Sequence, residues 1–354
     1  MAQQFYPIRL KDIQKTTEEC SVLTFDIEDE LAELFEYTQG QYLTLRANID
    51  GEEVRRSYSL CSSPLDNTWQ VAVKKIEDGR FSTYANEVLK AGDVIEVMPP
   101  NGRFFQPISK HKKNYVAFAA GSGITPIHSI IKTHLDQEKE STFSLFYFNR
   151  TVQSIIFKEE IEGLKNKYLN RFELYHFLTQ EERDSPLFNG RISEEKLASI
   201  FKILLDINSI DDFFICGPNE MIFLIRNFLM QKGLDEKRIH FELFNTPGNK
   251  KKTKNFDVSH GEISKVAIIN NGTRSTFNMS RGGDNILDAA LRNNADLPYA
   301  CKGGVCCTCK ALLTKGEVEM EVNYALEKEE VEQGYILTCQ AIPKTDELIV
   351  DFDC

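Results

Sequence analysis

Residues 298–309 read Pro298-Tyr299-Ala300-Cys301-Lys302-Gly303-Gly304-Val305-Cys306-Cys307-Thr308-Cys309. Cys301, Cys306 and Cys309 stand in C-x4-C-x2-C spacing, and Cys339, in Leu337-Thr338-Cys339-Gln340, adds a distant fourth thiol. This is the ligand pattern of a [2Fe–2S] cluster, which needs soft sulfur donors rather than oxygen. Structural zinc sites usually show two C-x2-C pairs, and only one occurs here. Gly303 and Gly304 let the backbone wrap closely around an inorganic core, where a Cβ would collide. Cys307, wedged between two ligands, is expected to point away and pack as a small apolar residue.

From Val258 to Cys354 the surroundings of this loop resemble the plant-type ferredoxin domain. A strand pair (Ser264–Asn270, Arg274–Ser280), a helix (Asn285–Asn293), the cysteine loop and closing strands near Ile336–Cys339 and Leu348–Phe352 carry the likeness. The helix also stands on its own residues. Asp284 can cap it, and Ile286, Ala289, Ala290 and Leu291 lie at helical spacing. The resemblance implies a β-grasp (α+β) domain over residues 262–354 that carries one electron at a time.

A chain of 354 residues is long for one core and points to two or three domains. Apolar residues at 42%, charged at 27% and aromatic at 10% describe a globular protein. The net charge of −11 argues against a nucleic-acid partner, since the only basic run, Lys250–Lys254, reads as a solvated linker. No run of eighteen apolar residues occurs, so no membrane span is expected. Nine cysteines, five of them clustered, fit a reducing compartment, and the N-terminus lacks a signal-peptide pattern. A cytoplasmic location follows as the expectation.

Residues 5 to about 100 alternate as strands: Phe5–Ile13, Ser21–Asp26, Gln41–Ala47, Glu53–Leu60, Trp69–Ile76 and Val94–Met98, with turn signals such as Asp50-Gly51. One helix, Ser82–Leu89, interrupts them with Ser82 as its N-cap, which predicts an antiparallel barrel. Arg56-Ser57-Tyr58-Ser59 and Gly79-Arg80-Phe81-Ser82 resemble the R-x-Y-S and G-x-x-S segments of the ferredoxin–NADP reductase family. The chemistry agrees: Tyr58 can stack on a flavin ring, Arg56 suits a pyrophosphate, and Gly79 offers bare N–H groups at a helix start. The likeness implies FAD, with Ser59 facing flavin N5, Val73 and Lys74 edging the dinucleotide, Phe81 and Ser82 in the second segment, and the Pro100–Phe105 turn covering the adenine.

Near Tyr115 the pattern becomes strand–helix alternation, which predicts a parallel α/β sheet. Tyr115–Ala120 is a buried-strand run that breaks at Gly121-Ser122-Gly123-Ile124-Thr125-Pro126 and enters a helix with Ile127, Ile130, Ile131 and Leu135 on one face. Strand, glycine turn and helix start form a pyrophosphate cradle. Here Gly121, Gly123 and Thr125 resemble the same reductase family's G-x-G-x-T-P. Ser144–Phe148 ends in Asn149-Arg150, and an arginine at this point accommodates a 2′-phosphate, which favours NADPH over NADH. Phe172–Phe177 and Asp212–Cys216 are further strands. The latter leads into Cys216-Gly217-Pro218-Asn219-Glu220-Met221, similar to the family's C-G-P-x-x-M, and a helix to about Gln231. The resemblance places Cys216 beside the nicotinamide, Glu242 of Ile239–Phe244 at the flavin–nicotinamide junction, and Phe244 against the flavin. The other histidines show no metal spacing and are expected to be surface or hydrogen-bonded residues.

These segments predict an FAD barrel over 1–107, an NAD(P)H domain over 108–245, a linker over 246–261 and the ferredoxin-type domain. The order resembles the reductase components of multicomponent oxygenases, most of all the phenylacetyl-CoA epoxidase type, with the ketosteroid hydroxylase type next. Phthalate-dioxygenase-type reductases share the order but favour FMN and NADH; benzoate-type reductases carry the ferredoxin at the other end. The implied activity is transfer of a hydride from NADPH to FAD, then of single electrons through the cluster to an oxygenase or hydroxylase component, with Ser59, Cys216 and Glu242 as catalytic residues. The alternatives are a stand-alone NADPH oxidase, a reductase for another hydroxylase, and a redox sensor without turnover.

Overall fold

The computed structural model describes residues 4–244 and 262–354. The expected linker at 246–261 lies outside the described residues. The chain divides into two compact units, one from Tyr6 to Phe244 and one built on 262–354.

The first unit opens with β1 (Tyr6–Thr17), β2 (Cys20–Asp26), β3 (Tyr42–Ile49), β4 (Glu52–Ser59), β5 (Trp69–Lys74), α1 (Arg80–Glu87) and β6 (Val94–Asn101). The strands form one antiparallel sheet in the order β4-β3-β6-β1-β2-β5. A bridge from Leu60, just past β4, to Val71 in β5 joins the two edges and closes the barrel. Alternate residues Ile8 and Leu10, Leu23 and Phe25, Leu43 and Leu45, and Val71 and Val73 point inward to a core that Phe81 of α1 completes. Fully burying one such side chain contributes about 1.5–3 kcal/mol. Ser82 is not the cap of α1. The helix starts two residues earlier, after Gly79, and the Ser82 hydroxyl instead donates to Gly79 O and accepts from Ile76 N–H.

The same unit continues with β7 (Asn114–Ala120), α2 (Ile124–Gln137), β8 (Thr142–Asn149), α3 (Lys158–Lys167), β9 (Phe172–Leu178), α4 (Glu194–Ile203), β10 (Asp212–Cys216), α5 (Asn219–Gln231) and β11 (Ile239–Glu242). All five strands are parallel, in the order β11-β10-β7-β8-β9. The chain starts mid-sheet at β7 and builds outward first to β8 and β9, then to β10 and β11. The switch point thus lies between β7 and β10, where open α/β sheets bind ligands at the strands' carboxyl ends. Ile127, Ile130, Ile131 and Leu135 of α2 are buried as expected. Helices α3 and α4 carried no assignment from the sequence; α3 buries only Ile161, so its apolar stripe is too thin to read.

The second unit holds β12 (Ile263–Asn270), β13 (Thr273–Ser280), α6 (Ile286–Arg292), β14 (Lys310–Lys315), β15 (Val318–Met320), α7 (Lys328–Glu332), β16 (Tyr335–Leu337), β17 (Ala341–Pro343) and β18 (Glu347–Asp351). Its mixed sheet runs β13-β12-β18-β14-β16, with β12 and β18 parallel and α6 packed into the core, a β-grasp arrangement. The cap of α6 is Asn285, which accepts from Asp288 N–H at 2.8 Å; Asp284 pairs with Arg292 instead. Among the described residues no helix is long and apolar enough to cross a membrane.

Candidate functional site

Three strand ends in the first unit bring Ser59, Cys216 and Glu242 together. Cys216 and Glu242 are cross-strand neighbours at the carboxyl ends of β10 and β11, and Ser59 closes β4 of the barrel. The Ser59 hydroxyl donates to Glu242 Oε2 at 3.0 Å. Burial pushes the Glu242 carboxyl up to about 8, against the opposing effect of the Ser59 bond. Burial likewise raises the Cys216 thiol well above its usual range, and the Glu242 charge adds to that. At neutral pH the junction is therefore lined by a protonated carboxyl, a hydroxyl and a thiol, all uncharged and able to hold protons.

On the barrel, Tyr58 is half-buried and packs on Phe81 with ring centroids 5.5 Å apart; Tyr84 meets the far side of Phe81 at 6.4 Å. Arg56 is exposed, with Nη1 donating to Arg55 O at 2.7 Å. Helix α1 starts at Gly79 without a side-chain cap, so its first N–H groups remain available to an anion. This donor set fits a flavin dinucleotide: a ring to stack, a guanidinium and open amides for the pyrophosphate. Val73 is fully buried in the barrel core and its carbonyl accepts from Asn86 Nδ2, whereas Lys74 reaches the surface 3.6 Å from Glu19. The Pro100–Phe105 turn does not leave Phe104 for an adenine. That ring is buried edge-on against Phe214 of β10 at 5.9 Å. A concavity of about 490 Å³ opens beside Gly79 and Tyr84, and a charged one of about 580 Å³ beside Lys15 and Glu87; neither is lined by the three junction residues.

The glycine turn joins β7 to α2. A Cβ on Gly123 would stand 2.1 Å from Cys216 O, so only glycine allows the turn to pack on the end of β10. Gly121 sits at φ +53, and the Thr125 hydroxyl donates to Ser122 O at 3.0 Å. Helix α2 also starts without a side-chain cap. Past β10, Gly217 packs against Met221 Cε and Ala120, and Pro218 leads into α5. At the end of β8, Asn149 is buried with its Nδ2 unpartnered among the described residues, next to the exposed Arg150. An orphaned amide donor beside a guanidinium, across from an uncapped helix start, fits a nucleotide phosphate. Phe244 is 36% exposed at the end of β11.

In the second unit the four expected thiols converge. The Cys306 thiol donates to Cys301 Sγ at 3.1 Å, and Cys339 bonds with both Cys301 and Cys309. These bonds pull Cys301 and Cys309 below the ordinary thiol range and raise Cys306 and Cys339; binding iron would release the shared protons. Gly303 N–H donates to Cys301 Sγ at 3.3 Å, and Gln340 Nε2 to Cys339 Sγ at 3.6 Å, the kind of bond that tunes a cluster's potential. Gly304 lies at φ +73, and a Cβ there would meet Val322 O at 2.8 Å. Among the described residues no three His, Cys, Asp or Glu side chains close around a single ion. Two sulfurs for each of two irons is the set a [2Fe–2S] core uses, and these residues fit it. Cys307 turns aside as expected: it packs on the core and donates to Ala325 O at 3.2 Å.

Two features escaped the sequence. Asn86 ties the flavin-side elements together: Nδ2 donates to Val73 O and Ser82 O, and Oδ1 accepts from Ser21 Oγ. A lone helical asparagine carries no signal for this. His176 is half-buried and not hydrogen-bonded through its ring. Both ring nitrogens are buried without a partner among the described residues, and burial lowers its pKa to about 4.

Comparison with known proteins matches residues 7–105 to the oxidoreductase FAD-binding domain, 118–227 to the oxidoreductase NAD-binding domain and 268–344 to the 2Fe-2S iron-sulfur cluster binding domain. The chain is 45% identical over 350 residues to a component of the 1,2-phenylacetyl-CoA epoxidase of Escherichia coli (strain K12), covering 99% of this chain and 98% of that one. It is 33% identical to the ferredoxin reductase component of 3-ketosteroid-9-alpha-monooxygenase from Rhodococcus rhodochrous, covering 96% and 94%. Among solved structures, phthalate dioxygenase reductase shares the fold with a TM-score of 0.59 at 23% identity, over 98% of each chain.

Proposed function

Because the chain belongs to the family of oxygenase reductase components that combine FAD-binding, NAD-binding and 2Fe-2S domains, we propose that it oxidises NADPH and delivers the electrons singly to a phenylacetyl-CoA epoxidase-like oxygenase. The meeting of Ser59, Cys216 and Glu242 across the barrel and the parallel sheet carries this reading. NADPH is favoured by exposed Arg150 beside the unpartnered Asn149 amide. The 45% identity to the epoxidase component over nearly the whole chain supports the acceptor. The domain limits are proposed at 1–107, 108–245 and 262–354. All nine cysteines are free thiols, which suits the cytoplasm.

Bound flavin would supply the exchange between a two-electron hydride and single electrons. The chain's own part is positioning. Arg56 and the uncapped N–H groups of the first turn of α1 would hold the FAD pyrophosphate, and Tyr58 its ring, while the Gly79 N–H itself donates to Ile76 O. Gly121, Gly123, Thr125 and the start of α2 would seat the nicotinamide nucleotide's pyrophosphate, with Gly217, Pro218 and Met221 shaping the ring's place. Ser59, Cys216 and protonated Glu242 present no negative charge to the reacting ring, so a hydride is not repelled. Cys301, Cys306, Cys309 and Cys339 would hold the cluster.

Steady-state reduction of ferricyanide and cytochrome c by NADPH tests the enzyme reading. Turnover of at least several per second is expected; negligible turnover would make the chain a redox sensor. Product formation with a purified epoxidase oxygenase component tests the acceptor, and failure there with ferricyanide turnover intact would point to a different oxygenase.

A further inference from the structure

Strand β11 carries Glu242, yet it has only four residues and lies at the edge of its sheet, paired among the described residues with β10 alone. Such a strand needs an additional hold to keep a side chain in place. His240 provides one. It lies two residues before Glu242 and so on the same face of the strand. Its Nε2 lies 3.0 Å from Asp212 Oδ1 at the start of β10, and its ring packs on Phe214 at 5.3 Å. Gln106 Nε2 rests against the same ring, 3.1 Å from Nε2 and 3.3 Å from Nδ1. Nε2–H can donate to Asp212 while the Gln106 amide braces the ring, so the imidazole is held by two chain segments at once.

Gln106 belongs to the segment between β6 and β7, where the barrel hands over to the parallel sheet. Its carbonyl accepts from Nε2 of buried Gln39, a barrel residue, at 3.1 Å. The same Gln39 nitrogen lies 3.5 Å from His134 Nε2 on α2, and His134 Nδ1 bonds Glu138 at 2.9 Å. Buried Glu138 in turn accepts from Ser109 N–H and the Tyr115 hydroxyl. A continuous polar chain, buried at Gln39, His134 and Glu138 and half-buried at Gln106, thus runs from barrel to sheet and ends on His240. The Ser59–Glu242 contact is made across the same junction, farther along the same sheet face.

We propose that His240 is a positioning residue: Asp212 and Gln106 clamp its ring, and the clamp holds β11 so that Glu242 meets Ser59. The proposal rests on the reading of Glu242 as a residue of the reacting junction. In the full-length FAD-loaded protein, His240→Phe keeps an aromatic ring on Phe214 but removes the Asp212 bond and the polar contact with Gln106. Gln106→Leu weakens the clamp at its other partner should the first variant fold poorly, and His240→Gln restores a donor. Hydrogen exchange read by mass spectrometry and stopped-flow flavin reduction with NADPH and 4-deuterated NADPH are the measurements.

Exchange across 239–242 is expected to speed up about tenfold or more while 114–120 stays unchanged. Flavin reduction should slow about tenfold with a larger deuterium effect and KM for NADPH within about twofold, because misplacing reacting groups costs rate more than binding. His240→Gln should recover most of both. Unaltered exchange at 239–242 in His240→Phe and Gln106→Leu would overturn the clamp. Faster exchange with unchanged flavin reduction would overturn positioning. Glu242→Gln in the same assay separates the causes: if it too leaves reduction unchanged, the role given to Glu242 falls and takes the proposal with it.

Discussion

Glu138 and Glu242 are both withdrawn from water in the first unit, yet their acidities move in opposite directions. Burial raises both. Around Glu138, His134, Ser141 and Ser109 donate to the carboxylate and outweigh burial, so it is held below its usual range. Glu242 receives only the Ser59 bond, burial wins, and the value rises to about 8. Fewer donors and heavier desolvation together keep Glu242 protonated where Glu138 is ionised. A consequence follows for stability. Between the ordinary value of 4.5 and about 8 the folded protein keeps a proton on Glu242 that the unfolded chain has released, so this group's contribution falls as pH rises through that window. The slope is at most about 1.4 kcal/mol per pH unit. Melting curves of wild type and Glu242→Gln from pH 5 to 8 should therefore diverge, with the variant gaining on the wild type at the alkaline end; parallel curves would contradict the shift. Arg150 belongs to the same scale. Arg150→Ala should lower kcat/KM for NADPH about tenfold to hundredfold and leave NADH within about threefold, since one charged hydrogen-bonding partner of a phosphate is worth about 1.5–3 kcal/mol. An unchanged ratio would remove Arg150 from nucleotide selection.

At the scale of elements, the start of α6 and the turn before α2 show where local reading worked and where it slipped. Both Asp284 and Asn285 have capping side chains, and the sequence offered no reason to choose the second. The structure chooses it because Asn285 has extended backbone angles and bonds to Asp288, while Asp284 is drawn to Arg292 on the far turn. Asn285→Ala should cost about 1 kcal/mol in urea unfolding of the holoprotein, and Asp284→Ala about half of that or less. An equal or reversed pair of values would restore Asp284 as the cap. At Gly123 the sequence predicts a phosphate cradle, and the tertiary fold adds a second demand: the turn must lie against the Cys216 carbonyl. Gly123→Ala would force backbone apart at 2.1 Å, so a loss of ~2 kcal/mol or more is expected along with weaker nucleotide binding. Thermal unfolding and NADPH titration would check both. The strands and most helices were legible because their apolar periodicity is local; α3, with one buried residue, had no periodicity to read.

For the whole molecule, hydride acceptance and cluster ligation reside in separate compact units, 6–244 and 262–354. Cys301→Ser should therefore abolish iron and acid-labile sulfide while leaving FAD content and NADPH–ferricyanide turnover within about twofold, and it should stop electron delivery to the oxygenase. Loss of FAD in that variant would show that the units depend on one another. The amino-acid sequence alone offered the four thiols as candidate ligands through their spacing and the barrel and parallel sheet through periodicity over a few residues, while the β-grasp domain and the segments ending at Ser59, Cys216 and Glu242 were read from their resemblance to a known family. Only the tertiary structure decided that Phe104 is a buried junction ring, that Gly123 packs on Cys216, that Glu242 keeps its proton and that Gln106 grips His240. Those depend on which atoms far apart in the chain become neighbours, and on how many donors reach a group once water is gone; neither quantity is recorded in local sequence.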